Sequence, residues 1–378
     1  RRSMSADLPG DGGHRPPLQF FRLTHHQSLA AVARAGRSRL ISWPMRSMDY
    51  YVRIGCGLLL AALVAGCGRN EPAASALPKP ARRKVVLQTD WFPQAEHGGF
   101  YQALAKGYYA QAGIDLEILP GGPGAGIKLK VVRGDADFGM LKSDDIMVAA
   151  SRGLPLVMVA ATLQHDPQAV MVHADSPVRS LKDLKGRVVI ASASMTWIPY
   201  IQKKYRITFD LKPNTYGLGE FLANKDAVQQ CLVTSEPFFA QQHGKPVRTL
   251  LLAESGYDCY HVIFCRRELV RGSPDVVRAF VHASIRGWRD YLQEDPAPAN
   301  AVILRRNPQM TPGLLVFSRS EMIIRSLVHG DRAKGEDVGQ LSLVRLTEEM
   351  QTLLDLKILD APIGITTVAT KDFLPPPR

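Results

Sequence analysis

Val85-Val86-Leu87-Gln88-Thr89-Asp90-Trp91-Phe92-Pro93 opens the folded part of the chain. Val85 to Thr89 is mostly apolar and alternates poorly, as in a strand covered on both faces. Gly99 to Gln111 spaces Phe100, Leu104 and Tyr108 along one helical face and stops at Gly113. Ile114 to Leu119 reads as a second strand, and Gly121-Gly122-Pro123 breaks the chain before a short helix over Ala125 to Arg133. Ala136 to Leu141, Asp144 to Arg152 and Leu156 to Thr162 continue as strand, helix and strand, with Val170 to His173 extended. Strands alternating with helices in this way predict an α/β fold with a parallel sheet and helices on its faces.

A second α/β run follows. Strands are expected over Arg187 to Ala191, Ala227 to Thr234, Val247 to Leu252 and Tyr260 to Cys265. Helices are expected over Ile198 to Tyr205, Leu218 to Asn224 and Glu236 to His243, then over Pro274 to Gln293, Ala297 to Arg305, Thr311 to Leu327 and Leu346 to Leu356. This order predicts two lobes, the second inserted into the first, with crossings near 170–175 and 257–261. The boundaries are 85–172 for the first lobe, 173–259 for the second, and 260–378 for the return and the C-terminal helices. Ligands of open α/β sheets sit beyond the strands' carboxyl ends, so a cleft between the lobes is the expected site, and two crossings suit hinge closure.

Upstream, Ile54 to Leu63 is an apolar stretch following Arg46 and Arg53, and it ends in Leu63-Val64-Ala65-Gly66-Cys67. The stretch is too short to span a bilayer core of roughly 30 Å as a helix, and a secretory signal fits it better. The small-residue run before Cys67 resembles the bacterial lipobox, which implies cleavage before Cys67 and lipid on its thiol. Residues 1–66 are then upstream extension and signal peptide, with Met45 or Met48 the expected start, and 67–84 the lipidated cysteine and a Pro- and Ala-rich linker. The chain is expected in the cell envelope, on the periplasmic side of the membrane and anchored by lipid.

The formal net charge of +12 is unevenly placed. Residues 1–84 hold 14 Lys and Arg against 4 Asp and Glu, and the rest holds 33 against 31. The folded part is nearly neutral and gives no reason to expect nucleic acid as a partner. Cys259 and Cys265 lie six residues apart in an expected strand, about 20 Å, too far to bridge. With Cys231 they read as buried free thiols, and no pair has the spacing of a zinc or redox site.

Asp90 to Phe100 and the run Ala105-Lys106-Gly107-Tyr108-Tyr109-Ala110-Gln111-Ala112-Gly113-Ile114 resemble the opening of the thiamine-pyrimidine-type substrate-binding proteins of ABC importers. These are similar to sulfonate- and nitrate-binding proteins and to thiamine pyrimidine synthases. Gly134-Asp135-Ala136-Asp137-Phe138-Gly139, Ser180-Leu181-Lys182-Asp183-Leu184-Lys185-Gly186 and Val233-Thr234-Ser235-Glu236-Pro237 support the resemblance, which covers nearly all of Val85 to Phe373. It implies a two-lobed periplasmic binding protein of type II with its ligand cleft between the lobes, an inner-membrane ABC permease as partner, a monomer, and neither enzymatic activity nor cofactor nor metal.

The residues agree with this in chemistry. Pro93 keeps Phe92 extended, so Trp91 enters a loop at the sheet edge, where its indole either stacks on a flat heterocycle or packs the core. His97 precedes Gly98-Gly99 at a helix start, and either hydrogen-bonds a ligand or stays solvated. Asp144, in Ser143-Asp144-Asp145, either caps a helix or accepts from a ligand amino group. Glu236 follows a strand and precedes Pro237; it caps, or it takes the ligand-carboxylate role that the resemblance implies. Asp90 and Tyr101, in the matched block, complete the first lobe's candidates, and Trp197, Tyr216 and Tyr257 are those of the second lobe and crossing. Gly121-Gly122-Pro123-Gly124-Ala125-Gly126 lacks the Gly-Lys-Ser/Thr of a phosphate loop and is expected to let a ligand approach backbone.

Two other readings compete. The synthases consume their own lysine and histidine with pyridoxal phosphate and iron. Gapless alignment from Gly139 to Arg152 puts Leu141 and Asp145 at those places, with Lys142 one position off, which argues against synthesis. A sulfonate or nitrate receptor would converge Arg, Lys or helix amides on an anion. The candidates here are aromatic and acidic, favouring a neutral or cationic heterocycle such as an aminopyrimidine or a flavin.

Overall fold

The computed structural model describes residues 81–376, so the leader, Cys67 and most of the linker lie outside the described residues. Among the described residues, ten strands form two five-stranded sheets. The first sheet takes β1 (Arg83–Gln88), β2 (Ile114–Leu119), β3 (Phe138–Lys142), β4 (Leu156–Leu163) and β10 (His261–Arg266). The second takes β5 (Gln168–His173), β6 (Val188–Ala191), β7 (Asp210–Pro213), β8 (Val228–Leu232) and β9 (Val247–Leu251). Their orders are β2-β1-β3-β10-β4 and β7-β6-β8-β5-β9. Both sheets thus repeat one plan, three parallel strands followed by a strand arriving from the other lobe and then one more.

That plan corrects the expected all-parallel sheet. β10 runs antiparallel to β3 and β4, and β5 antiparallel to β8 and β9. Each enters its sheet from a crossing with no α-helix in it, so no crossover connection turns it back into the parallel direction. The first crossing also falls earlier than expected. It occupies 164–167, because β5 pairs within the second sheet, and the second crossing occupies 252–260.

The helices of the first lobe are α1 (Gly98–Ala105), α2 (Tyr108–Gln111), α3 (Ile127–Arg133) and α4 (Ser143–Ser151). The expected single helix over Gly99 to Gln111 is broken, because Gly107 takes a φ of +71° that ends α1 and starts α2. The second lobe carries α5 (Trp197–Tyr205), α6 (Gly219–Ala223) and α7 (Glu236–Gln242). After the return come α8 (Arg267–Gly272), α9 (Pro274–Gln293), α10 (Ala297–Arg306), α11 (Pro312–Ile324), α12 (Leu343–Asp355) and α13 (Ile365–Val368).

The first lobe's core lies where α1 meets α9 and α10, around Phe100, Tyr101, Phe280, Trp288 and Tyr291. The approach is close because three positions have no side chain. A Cβ on Gly99 would lie 2.1 Å from Trp288 Cγ, one on Gly98 2.2 Å from Tyr291 Cε1, and one on Gly287 2.2 Å from the Gly99 carbonyl oxygen. The second lobe packs Val170, Val172, Val189, Trp197, Ile201 and Phe209 around its own core. Cys231, Cys259 and Cys265 are buried free thiols. Among the described residues, no helix is long and apolar enough to cross a membrane.

Candidate functional site

The carboxyl ends of β1 and β3 meet the first crossing and the start of β10, and a chain of alternating charge forms there. His97 Nε2 lies 2.7 Å from Asp90 Oδ1, just past β1. Asp90 Oδ2 lies 4.0 Å from His261 Nδ1, and His261 Nε2 lies 3.4 Å from Asp166 Oδ1. Lys142 Nζ, paired in register with His261, sits 3.7 Å from both Asp166 and Asp144. Burial alone would raise all three carboxyls. His97 holds Asp90 below the ordinary value, and Lys142 first, then His261 or Thr196, does so for Asp166 and Asp144. Burial works against the charge on Lys142, but Asp144 and Asp166 outweigh it and keep the ammonium protonated. His97 Nδ1, His261 Nδ1 and Lys142 Nζ are buried without a hydrogen-bond partner. Polar atoms left so are free to meet a ligand or water.

Two contacts join the lobes at this site. Asp144 Oδ2 accepts from Thr196 Oγ1 of the second lobe and from the Tyr257 hydroxyl at 2.8 Å. Glu96, in the turn before α1, accepts from Thr234 Oγ1 after β8. Asp144 is therefore 1% exposed and engaged between the lobes. It also serves the helix start, since Oδ1 accepts the first-turn Asp145 N–H at 2.8 Å, although the N-cap position itself is Lys142.

The aromatic part lies at the rim. Trp91 and Tyr216, on loops of opposite lobes, have ring centroids 5.3 Å apart at 48°. Tyr216 holds a φ of +60°, unusual for a residue with a side chain, and its N–H donates to Asn214 Oδ1 at 2.8 Å. The glycine turn supports Trp91 from below. Gly121 N–H donates to the Trp91 carbonyl at 2.9 Å and Gly122 N–H to that of Asp90 at 3.1 Å. A Cβ on Gly121 would meet Thr89 O at 2.3 Å. The backbone that needs this room is the chain's own, which corrects the expectation of a ligand there.

Glu236 begins α7, and its Oε2 accepts the Leu232 N–H at 2.8 Å. Burial first, with Glu96 nearby, pushes its carboxyl up to about 7. Two candidates are displaced. Tyr101 is fully buried on α1 in the first lobe's core, and Trp197 is fully buried in the second's, stacked on Phe209 at 6.3 Å. Both rings are large apolar surfaces on core-facing helical positions, and packing claims them. Tyr257 is also buried, but its hydroxyl reaches Asp144 and it belongs to the site.

Lys142, Asp166, His261 and Thr196 carry the site without having been singled out as candidates. Their one shared signal was a charged or polar residue at a strand end or crossing, as in Met140-Leu141-Lys142 and His165-Asp166-Pro167. Atoms of Asp144, Cys259 and Glu349 also come within 4.8 Å of one another. Their carboxylates already serve Thr196, Tyr257 and Ser143, so this cluster is satisfied as hydrogen bonds of the protein itself. Surface cavities of about 200 and 300 Å³ lie elsewhere, one beside Tyr260 and Arg345 and one beside Arg187 and Asn224.

The chain is similar to a riboflavin-binding protein, RibY, of Chloroflexus aurantiacus, 25% identical over 84% of this chain and 96% of the relative. It is 26% identical to a formylaminopyrimidine-binding protein of Halalkalibacterium halodurans over 75% of this chain and 88% of the relative. It is 25% identical to a 4-amino-5-hydroxymethyl-2-methylpyrimidine phosphate synthase of Legionella pneumophila over 78% and 93%. In fold it resembles the periplasmic sulfonate-binding protein SsuA of Methylobacillus flagellatus, with a TM-score of 0.57 at 13% identity over 78% of this chain and 93% of that one. A family profile described as NMT1/THI5 like matches residues 94–299, and the chain belongs to that family.

Proposed function

We propose that the chain is the lipid-anchored solute receptor of an ABC importer, held outside the cytoplasm through Cys67, and that it captures a small flat heterocycle between its lobes and releases it unchanged to a membrane permease. The observation that carries this reading is the Trp91–Tyr216 pair, two rings from opposite lobes, with Trp91 next in the chain to Asp90 of the buried polar cluster. Face-on stacking spaces each pair of rings by about 3.5 Å, so a sandwiched ligand needs the rings about 7 Å apart. The rings stand 5.3 Å apart and tilted by 48°, so taking a ligand between them requires the two loops to part and the planes to turn parallel. His97 Nδ1 and His261 Nδ1 can each donate or accept toward ring nitrogens and carbonyls. Glu236 is the acceptor for an exocyclic amine.

Three features support receptor over synthase. Leu141 and Asp145 stand where the synthases resembled have their consumed lysine and histidine. Lys142 is kept as an ammonium by two carboxylates, which removes the lone pair an imine-forming amine requires. Two of the relatives above are named for binding, one for riboflavin and one for formylaminopyrimidine. Lys142 is already held between Asp144 and Asp166, which leaves it poorly placed to meet a sulfonate or nitrate anion.

Calorimetric titration with riboflavin, a formylaminopyrimidine and taurine tests the reading. One of the two heterocycles should bind and taurine should not. Trp91→Ala and Glu236→Ala should each weaken that binding by more than about tenfold, about 1.4 kcal/mol. Unchanged affinity in both variants, or recovery of a chemically altered ligand by mass spectrometry, overturns it.

A further inference from the structure

Both chain crossings are tied together by one charged cluster next in the chain to Asp166. His165, in the first crossing, places Nδ1 2.6 Å from Asp258 Oδ2 in the second crossing, and Nε2 3.2 Å from Glu336 Oε2 in the segment before α12. Arg345 of α12 covers both carboxylates, 3.0 Å from Asp258 Oδ2 and 3.4 Å from Glu336 Oε1. Its Nη2 also donates to the Asp258 carbonyl at 2.7 Å, and its guanidinium lies over Tyr260 at 4.0 Å. Asp258 Oδ1 takes the Asp166 N–H at 2.9 Å, so the two crossings are also joined through backbone.

The geometry of His165 favours a proton. Nδ1–H donates to Asp258 Oδ2, and Nε2 stands at an ion-pair distance of 3.2 Å from Glu336 Oε2 without a hydrogen bond. A neutral ring would turn its Nε2 lone pair toward that carboxylate, whereas the imidazolium is attracted to both. The charged groups around it are Asp258 from the second crossing, Glu336 from the segment before α12, and Arg345 from α12. The two carboxylates outweigh Arg345.

We infer that His165, Asp258, Glu336 and Arg345 form a latch across the hinge that holds the lobes in their closed arrangement while His165 is protonated and slackens when it is not. The structure has the lobes in contact through Asp144–Thr196 and Glu96–Thr234 with this latch made, so its loss removes a constraint from the pivot itself. The inference needs the two-lobed fold and is independent of which ligand the cleft takes. The hydrogen bond that His165 donates to Asp258 raises it above its ordinary value of 6.5. The stabilisation is therefore fully present below that value and is lost as pH rises through the higher folded one. The closed arrangement should be favoured in acid.

The test is made on the full chain without ligand, with spin labels on unnatural side chains at the exposed positions Ser151 of α4 and Gln241 of α7, read by pulsed dipolar spectroscopy. Between about pH 5.5 and about pH 8.5 the short-distance population of the wild type should fall about threefold. His165→Gln should show the alkaline distribution at both values. Glu336→Gln, which removes one of the two anions, should lower the midpoint by about one pH unit. A flat response in the wild type, or an unchanged response in His165→Gln, overturns the latch. If His165→Gln does not fold, an unchanged midpoint in Glu336→Gln overturns it alone.

Discussion

Glu236 shows how a partly buried carboxyl reports its surroundings. It stands at the start of α7, near Glu96, and its side chain accepts the Leu232 N–H. Its folded value of about 7 lies above the ordinary 4.5, so the fold prefers the protonated acid. The sign follows: stability is whole below about pH 4.5 and declines as pH rises through about 7. Glu236→Gln keeps an acceptor for Leu232 and never ionises. It should match the wild type near pH 4 and exceed it at pH 8 by about 1–2 kcal/mol, a figure discounted for partial exposure. Urea unfolding at the two pH values measures this, and a variant less stable at pH 8 would mean that Glu236 is charged and partnered. Legibility at this scale depended on company. Asp90, Trp91, His97 and Glu236 stood in distinctive local runs. Lys142, Asp166 and His261 come from three separate segments, and their meaning appears only when β3, β10 and the first crossing are neighbours. Tyr101 and Trp197 failed in the opposite way, because an aromatic residue in a helix looks the same whether it faces a cleft or a core.

Elements were legible wherever hydrophobic period and punctuation agreed. Helix α9 spans Pro274–Gln293 as read, opened by a proline and carrying a regular apolar stripe. Strand β7 (Asp210–Pro213) was missed because none of its side chains is buried, so it has no apolar pattern to read. The direction of β10 was missed because strand polarity is set by connection and not by composition. What composition did not disclose about α1 and α9 is how closely they cross. Gly287 faces the Gly99 carbonyl where a Cβ would sit 2.2 Å from the oxygen, a backbone atom that cannot rotate aside. Gly287→Ala should therefore cost about 3 kcal/mol of stability, against a gain of up to about 1 kcal/mol from helix propensity alone at an open site. Gly272→Ala, with nothing within 4 Å, is the matched control and should cost less than about 0.5 kcal/mol. Equal melting temperatures for the two variants would mean that the helices separate without cost.

At the scale of the molecule, the two α/β runs and the return of the chain were readable from the order of segments, whereas the crossing at 164–167 was not, since β5 looks like a continuation of β4 until its partners β8 and β9 are known. Closure is a property of this scale, and a residue that touches no ligand can set affinity through it. Thr196 is such a residue: its hydroxyl donates across the lobes to Asp144, a carboxylate otherwise held by Tyr257 and Lys142. A hydrogen bond to a charged group contributes about 1.5–3 kcal/mol, and Thr196→Val removes it while keeping side-chain volume. The apparent dissociation constant of a clamp scales inversely with the fraction in the competent state, so that loss should weaken ligand affinity by about tenfold or more. Most of the change should appear as faster release, because the bond forms only after the lobes meet. The melting temperature should move little, since each lobe keeps its own core. Stopped-flow release and calorimetry on Thr196→Val decide it. An unchanged release rate would place control of closure at Glu96–Thr234 or at the hinge, whereas a slower association with unchanged release would make Thr196 part of the ligand's entry route.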